Sequence, residues 1–237
     1  MATRTRRSQR RSEALSRERI VEAAVELLDA AGEGGLTFRA LTERLATGPG
    51  AIYWHVANKG DLLGAAADLV VAAALAPSLS TAPAESPDSP RDEIRAVALG
   101  LFDAIDGHPW LAMQLGAQLS RSPGGSVTPR IFESIGRQIR ALGVPESSWF
   151  TATSALVHYI LGAAGQNAAN AGYARVLGPD VDRAKFLDAV STAWEELDPD
   201  DYPFTRAVAD QLREHDDREQ FLAGIDFVLT GITALHL

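Results

Sequence analysis

The chain has 237 residues, enough for one large or two small domains, with 46% apolar and 22% charged side chains. It holds no cysteine, which excludes disulfide scaffolds, thiol nucleophiles, iron–sulfur clusters and Cys-type zinc sites. A formal net charge of −9 argues against nucleic-acid binding until it is divided: residues 1–63 carry a net of +2 and residues 64–237 a net of −11. Residues 1–19 alone hold seven Arg against Glu13 and Glu18. A basic tip on an acidic body suits a segment that meets a polyanion, or a solubilising tail. No apolar run reaches the roughly 18 residues of a membrane span, and the Arg-rich start lacks a signal peptide's apolar core. The expected location is cytoplasmic, with no membrane partner.

Residues 1–15 lack helical periodicity and read as a disordered basic arm. Ser16 then caps a helix whose Ile20, Ala24, Leu27, Leu28 and Ala31 share one face. Gly32, Gly34 and Gly35 end it. Thr37 caps a second, shorter helix at about 38–45, with Leu41 and Leu45 inward. Gly48 and Pro49 open a third at about 49–55, since Pro at the first helical position gives up no bond. Ile52 and Val56 form its inner side, and Asn58-Lys59-Gly60-Asp61 reads as a turn. A connecting helix runs to Leu75. The window 76–91 contains four prolines and reads as a linker or loop. Helical blocks follow at about 92–107, 109–119, 126–142, 146–171, 181–196, 203–215 and 217–235. Nothing alternates like a strand, and forty alanines favour helix. The expected fold is all-α: a three-helix head at 16–63, a connector at 64–75 and a larger helical body at 92–237.

Two short helices joined by three residues, behind a capped helix, have the form of a helix-turn-helix. The run from Leu36 to Leu45, then Pro49-Gly50-Ala51-Ile52-Tyr53-Trp54-His55-Val56, Asn58-Lys59 and Leu62-Leu63, resembles the DNA-binding domain of the tetracycline-repressor (TetR) family. The match is gap-free from about Ser16 to Leu75, and the Tyr-Trp-His-Val-x-Asn-Lys string makes it specific. The rest is similar in style, with His108-Pro109-Trp110 resembling the opening of a C-terminal domain near the tetracycline repressors.

The resemblance implies backbone contacts from Thr37, Tyr53, His55 and Lys59, and a base contact from Arg39. The chemistry agrees: a phenol, an imidazole and an ammonium can all donate to phosphate oxygens, and Arg can grip guanine O6 and N7. Gly48, Pro49 and Gly50 stand where the third helix enters the groove and offer close approach but almost no donors. Specificity therefore falls on Arg39, the basic arm and DNA shape. Trp54 is expected to pack within the head and Arg44 to lie on a solvated face. Ala46 replaces the Gly the family often has between the helices; a positive φ there would cost roughly 1 kcal/mol.

For the body the resemblance implies dimerisation and ligand sensing. Two heads are also what half-sites one helical turn apart require. The helices near 146–171 and 217–235 are the candidates for an intersubunit bundle. Ala155, Gly162, Ala163, Ala164 and Ala169 line the first; Phe221, Ile225, Val228, Leu229 and Ile232 stripe the second, with an internal core as the alternative. Candidate ligand contacts are Trp110, Met113, Gln114, Gln118, Phe132, Phe150, His158 and Asn167, apolar walls with a few polar groups. The stretch matching the magnesium-holding His of the tetracycline repressors reads Ala73-Ala74-Leu75, so a tetracycline–magnesium inducer is not expected. No Gly-rich phosphate loop, nucleophile elbow or metal-spaced His pair is present, so no enzyme activity, cofactor or metal is expected. The reading is a homodimeric repressor released from a palindromic operator by a small molecule; a ligand-independent regulator or activator is the alternative.

Overall fold

The chain follows the apolar periodicity into helices joined by short caps. The computed structural model describes residues 15–79, 89–121, 124–177 and 183–234, so the arm at 1–14 lies outside the described residues. These hold twelve α-helices, one 3-10 turn at Glu146–Ser148 and no strand. The head comprises α1 (Arg17–Gly35), α2 (Phe38–Leu45) and α3 (Pro49–Tyr53). A spine, α4 (Lys59–Leu79), leads to the body: α5 (Pro90–Gly107), α6 (Trp110–Arg121), α7 (Val127–Ala141), α8 (Trp149–Leu177) and α12 (Asp217–Ala234). Between α8 and α12 lie α9 (Arg183–Glu195), α10 (Pro203–Ala207) and α11 (Ala209–Arg213).

The Ser16 hydroxyl accepts the Arg19 N–H at 3.3 Å and starts α1. Ile20, Ala24 and Leu28 then bury against Leu41, Ile52 and Val56. Each fully buried aliphatic side chain contributes about 1.5–3 kcal/mol. The apolar run does not stop cleanly at the glycines. Ala31 and Gly32 leave helical geometry, Gly32 with φ +63°, and one further turn reaches Gly35. That φ needs a residue without Cβ. The kink offsets the last turn and brings Glu33 towards the body.

α4 packs on α1, α5, α6 and α7, and so belongs to head and body at once. Its start corrects the expected turn at Asn58–Asp61. Asn58 Oδ1 accepts the Asp61 N–H at 2.9 Å, and Asp61 Oδ2 accepts the Ala57 N–H at 3.1 Å. The polar string is thus a cap and a first helical turn. At its other end α4 runs past Pro77 to Leu79, and Pro90 opens α5; residues 80–88 of the expected linker lie outside the described residues. A proline in the last turn of a helix forfeits only one bond, which is why the window was not wholly non-helical.

In the body α5 is sandwiched between α4, α7, α8 and α12. The Phe221, Ile225, Leu229 and Ile232 stripe of α12 is buried against this same chain. That corrects its assignment to an intersubunit contact: Phe221 packs tilted against Phe102 at 4.7 Å and stacks on Tyr159 at 5.9 Å. The expected helix at 203–215 is two short helices broken at Val208. They pack chiefly on α9, where Ser191 donates to the Ala209 carbonyl at 2.7 Å. Arg213 ties Asp188 (2.9 Å) and Glu195 (2.6 Å) to the same corner, and these carboxylates push its pKa further up. Among the described residues no helix is long and apolar enough to cross a membrane.

Candidate nucleic-acid interface

Thr37 precedes α2 in extended conformation, and its Oγ1 accepts the Ala40 N–H at 3.1 Å. α2 ends at Ala46, which has φ 48° and ψ 47°. The Ala46 N–H bonds to Glu43 O and the Thr47 N–H to Thr42 O at 3.1 Å. That pair of bonds is a Schellman closure, and it turns the chain into α3 within three residues. The left-handed conformation is therefore real and is borne by an alanine.

α3 begins with Gly48 in extended conformation and Pro49 in its first turn. Gly48, Pro49, Gly50 and Ala51 are exposed, and Ile52 is buried. The helix is shorter than the expected 49–55. After Tyr53 the His55 and Val56 N–H groups both return to Ile52 O, which tightens the turn. Tyr53 is half exposed and stacks on Phe38, ring centroids 4.4 Å apart and 18° from parallel. The stack fixes the ring and leaves the surface side of Tyr53 in water.

Trp54 is corrected. It is 87% exposed and does not pack within the head. Ile52 and Val56 already occupy the inner face, and a residue two positions from Ile52 points roughly 200° away from it. Helical phase alone placed it outside.

Arg39 rises from the first turn of α2 with its side chain 88% exposed. Its Nε donates to Glu43 Oε1 at 2.9 Å. Arg44 is not simply solvated; it pairs with Glu26 and joins α2 to α1. His55 is half-buried. At the start of α1 the Glu18 backbone N–H and the Ser16 hydroxyl, with Arg17 beside them, hold the Glu18 carboxyl below the usual range. Lys59 Nζ donates to the Glu33 carbonyl at 2.6 Å, at the kinked end of α1. Arg39, Tyr53, Trp54, Gly48, Pro49 and Gly50 thus stand exposed on α2–α3 and its flanks, with Thr37 at the cap.

The eight candidate ligand residues do not converge. Trp110 is buried at the seam between head and body, where its Nε1–H donates to Asp29 Oδ1 at 2.7 Å. His108 Nδ1 lies 2.7 Å from the same oxygen. Met113, Gln114 and Gln118 line a seam cleft of about 570 Å³ with Glu33, Leu63 and Arg121. Within it Gln114 Nε2 donates to Glu33 Oε2 at 3.1 Å. Phe132 and Phe150 stack at 6.0 Å on the α7–α8 surface, and His158 is exposed on α8. Asn167 Nδ2 reaches Asp106 Oδ1 at 3.4 Å beside a separate cleft of about 280 Å³. Asp29 and Glu33, which the sequence reading passed over, are the acceptors that anchor the body to α1. Asp29 sits in the regular part of α1, and Glu33 lies just beyond its kink.

Comparison with known proteins bears on both parts. The chain is 69% identical to the transcriptional regulator SCO7222, a TetR from Streptomyces coelicolor, covering 94% of this chain and all of that one with a TM-score of 0.83. It is 28% identical to BioQ solved with its double-stranded DNA operator, over 85% of this chain and 99% of that one, with a TM-score of 0.55. An HTH-type transcriptional regulator of Saccharopolyspora erythraea is 32% identical over 62% of this chain, a match that spans about three-fifths (59%) of that relative's length. Residues 82–236 match the tetracyclin repressor-like C-terminal domain. Residues 20–66, which carry the α2–α3 face, match the bacterial regulatory proteins of the tetR family, and the chain belongs to that family.

Proposed function

We propose that the protein is a homodimeric transcriptional repressor that holds a palindromic DNA operator through two α2–α3 heads and is released by a small molecule bound to its helical body. The observation that carries the DNA half is the exposed face of α2–α3, where Arg39 and Tyr53 stand in water while Ile52 and Leu41 lock the opposite side. Tyr53, His55, Lys59 and the Thr37 hydroxyl contact phosphates, and Trp54 lies along the sugar-phosphate surface. Arg39 reads a guanine. Gly48, Pro49 and Gly50 let the start of α3 approach the bases.

The dimer uses the outward sides of α8 and α12. Ala155, His158, Gly162, Gln166 and Ala169 are exposed on α8; Ala223, Phe227, Thr230, Gly231 and Ala234 are exposed on α12. Small side chains flanking a Phe that is 77% exposed suit close helix packing against a second copy. The effector half rests on the seam cleft, whose size falls within the usual range for ligand sites. It touches α1, α4 and α6, so an occupant that fits one head orientation better than another shifts the equilibrium between them. That the relatives matched are transcriptional regulators supports this over an enzyme.

The test is selection of duplexes by the purified protein, followed by affinity measured against salt. The expected result is a palindrome and a steep slope, and removal of residues 1–15, with five Arg in each copy, shallows it by up to about 4 per head. Failure to prefer any duplex over heparin at moderate salt would overturn the reading.

A further inference from the structure

The α2–α3 face is short of donors. Before Tyr53, α3 and its cap present only Gly48, Pro49, Gly50 and Ala51 to solvent, none with a polar side chain. On α2 the Thr42 hydroxyl is turned back to Arg39 O at 2.7 Å, and the Thr37 oxygen is engaged as the cap. Sequence readout on this face therefore leans on one long side chain, Arg39. A free Arg is a poor reader, because its rotamers spread the guanidinium over many directions and ordering them on DNA opposes binding.

Glu43 removes part of that freedom. It stands one turn further along α2, and its Oε1 takes the Nε–H of Arg39 at 2.9 Å. Arg39 bonds to Glu43 through its Nε, and the side chain is 88% exposed. With Nε held, the two Nη groups form a free planar fork at the tip. That fork is the edge that bonds guanine O6 and N7 together. The same carboxylate lies on the face that meets phosphates, where its charge opposes binding of any duplex. Glu43 therefore weakens general attraction and offers little structural gain in return, since an exposed i, i+4 pair adds only about 0.3–0.5 kcal/mol.

We propose that Glu43 is a specificity-determining positioning residue: it trades general DNA affinity for discrimination by aiming the Arg39 fork at guanine. The guanidinium is charged at any physiological pH, and the Glu43 hydrogen bond raises its pKa further. This inference rests on the reading of Arg39 as a base reader.

The experiment uses the full-length protein and its selected palindrome, with every base pair of the half-site changed in turn. Affinities are measured at several salt concentrations for wild type, Arg39→Ala, Glu43→Ala, Glu43→Gln and the Arg39→Ala/Glu43→Ala double variant. Circular dichroism verifies that each is folded. Arg39→Ala should cut discrimination at one guanine by about 5- to 150-fold. Glu43→Ala should cut it at that same guanine by about 1.5- to 2.5-fold while tightening binding to unrelated duplex. Glu43→Gln, which keeps an acceptor for Nε, should retain the preference and still tighten non-specific binding. Glu43→Ala should add no further loss of discrimination on the Arg39→Ala background. If Glu43→Ala shifts all duplexes equally, or leaves the guanine preference intact where Arg39→Ala abolishes it, Glu43 is only a repelling or surface charge and the proposal falls. If Arg39→Ala leaves every base preference unchanged, the base-reader assignment falls first and the proposal with it.

Discussion

On the α2–α3 face of the head, Arg39, Tyr53 and Trp54 stand in water, each with a charge, a hydroxyl or a ring N–H. In the body, the outward sides of α8 and α12 show Phe150 and Phe227 among alanines and glycines. Both surfaces are unsatisfied by the single chain, but they ask for different partners. Polar aromatic and cationic groups above a tight helix pair suit a polyanion. Apolar rings among small residues suit another helix. The formal charges divide the same way, near neutral in residues 1–63 and strongly acidic beyond. The acidic body is repelled by DNA everywhere except where the head leads.

Breaking the body surface should have the larger consequence for DNA. Phe227→Glu places a charge at the centre of the α12 face, and the expected product is a folded monomer. Losing one of two tethered heads lowers operator affinity by about 10²–10⁴-fold. Sedimentation and duplex titration check the two effects together; a variant that stays dimeric would show that this face is not the interface. Gly231→Leu, one turn further on, provides an independent probe without charge.

Gly224→Ala tests the inner side of the same helix. A Cβ at 224 would overlap the Tyr159 hydroxyl, which donates to the Phe221 carbonyl at 3.1 Å. Burial pushes the Tyr159 phenol pKa up, consistent with a ring held in place. Forcing it out should cost about 1–3 kcal/mol of stability, read by urea unfolding. No change would mean that α8 and α12 pack loosely, and that the division between an inner apolar and an outer dimerising side of α12 is wrong.

On the head, Tyr53→Phe should keep the Phe38 stack and the fold while removing one phosphate donor. The expected loss of operator affinity is about three- to tenfold, at every sequence alike. An effect confined to one base pair would instead make Tyr53 a base reader. Unchanged affinity would remove it from the interface.

The head was legible because its signals are local. Ser16, Thr37 and Pro49 sit at helix starts, and the inward residues recur at helical spacing over short stretches. Even Trp54 was readable, since its phase relative to Ile52 and Val56 points it outward; its size suggested burial instead. The Arg39–Glu43 spacing was also visible, but α2 offers other i, i+4 neighbours, and the meaning of this one depends on the bare α3 beside it. The body resisted for a different reason. Eight ligand candidates were grouped by residue type, yet which side chains meet depends on long-range packing, and the chain scattered them to the seam, the α7–α8 surface and the Asp106 cleft. The α12 stripe was legible as an apolar face, but its assignment to a second copy failed, because a stripe does not say what it packs on.

The smallest expected effect bears on how far the two regions are separate. Ala46 holds φ 48° at the α2 closure, a conformation that costs an L-residue roughly 1–2 kcal/mol. Ala46→Gly removes that strain, and part of the gain is offset by the greater freedom of glycine in the unfolded chain. A net stabilisation of about 0.5–1 kcal/mol is expected, with operator affinity unchanged because Ala46 is exposed and its bonds are backbone only. α4 is shared by both regions, and Asp29 and Glu33 of α1 are held by Trp110 and Gln114 of α6. Heat should therefore melt head and body in one transition, and calorimetry should show that whole transition moving up. A variant in which only an early, small transition moves would show that the seam is weaker than its hydrogen bonds imply, and that the head responds to strain by itself.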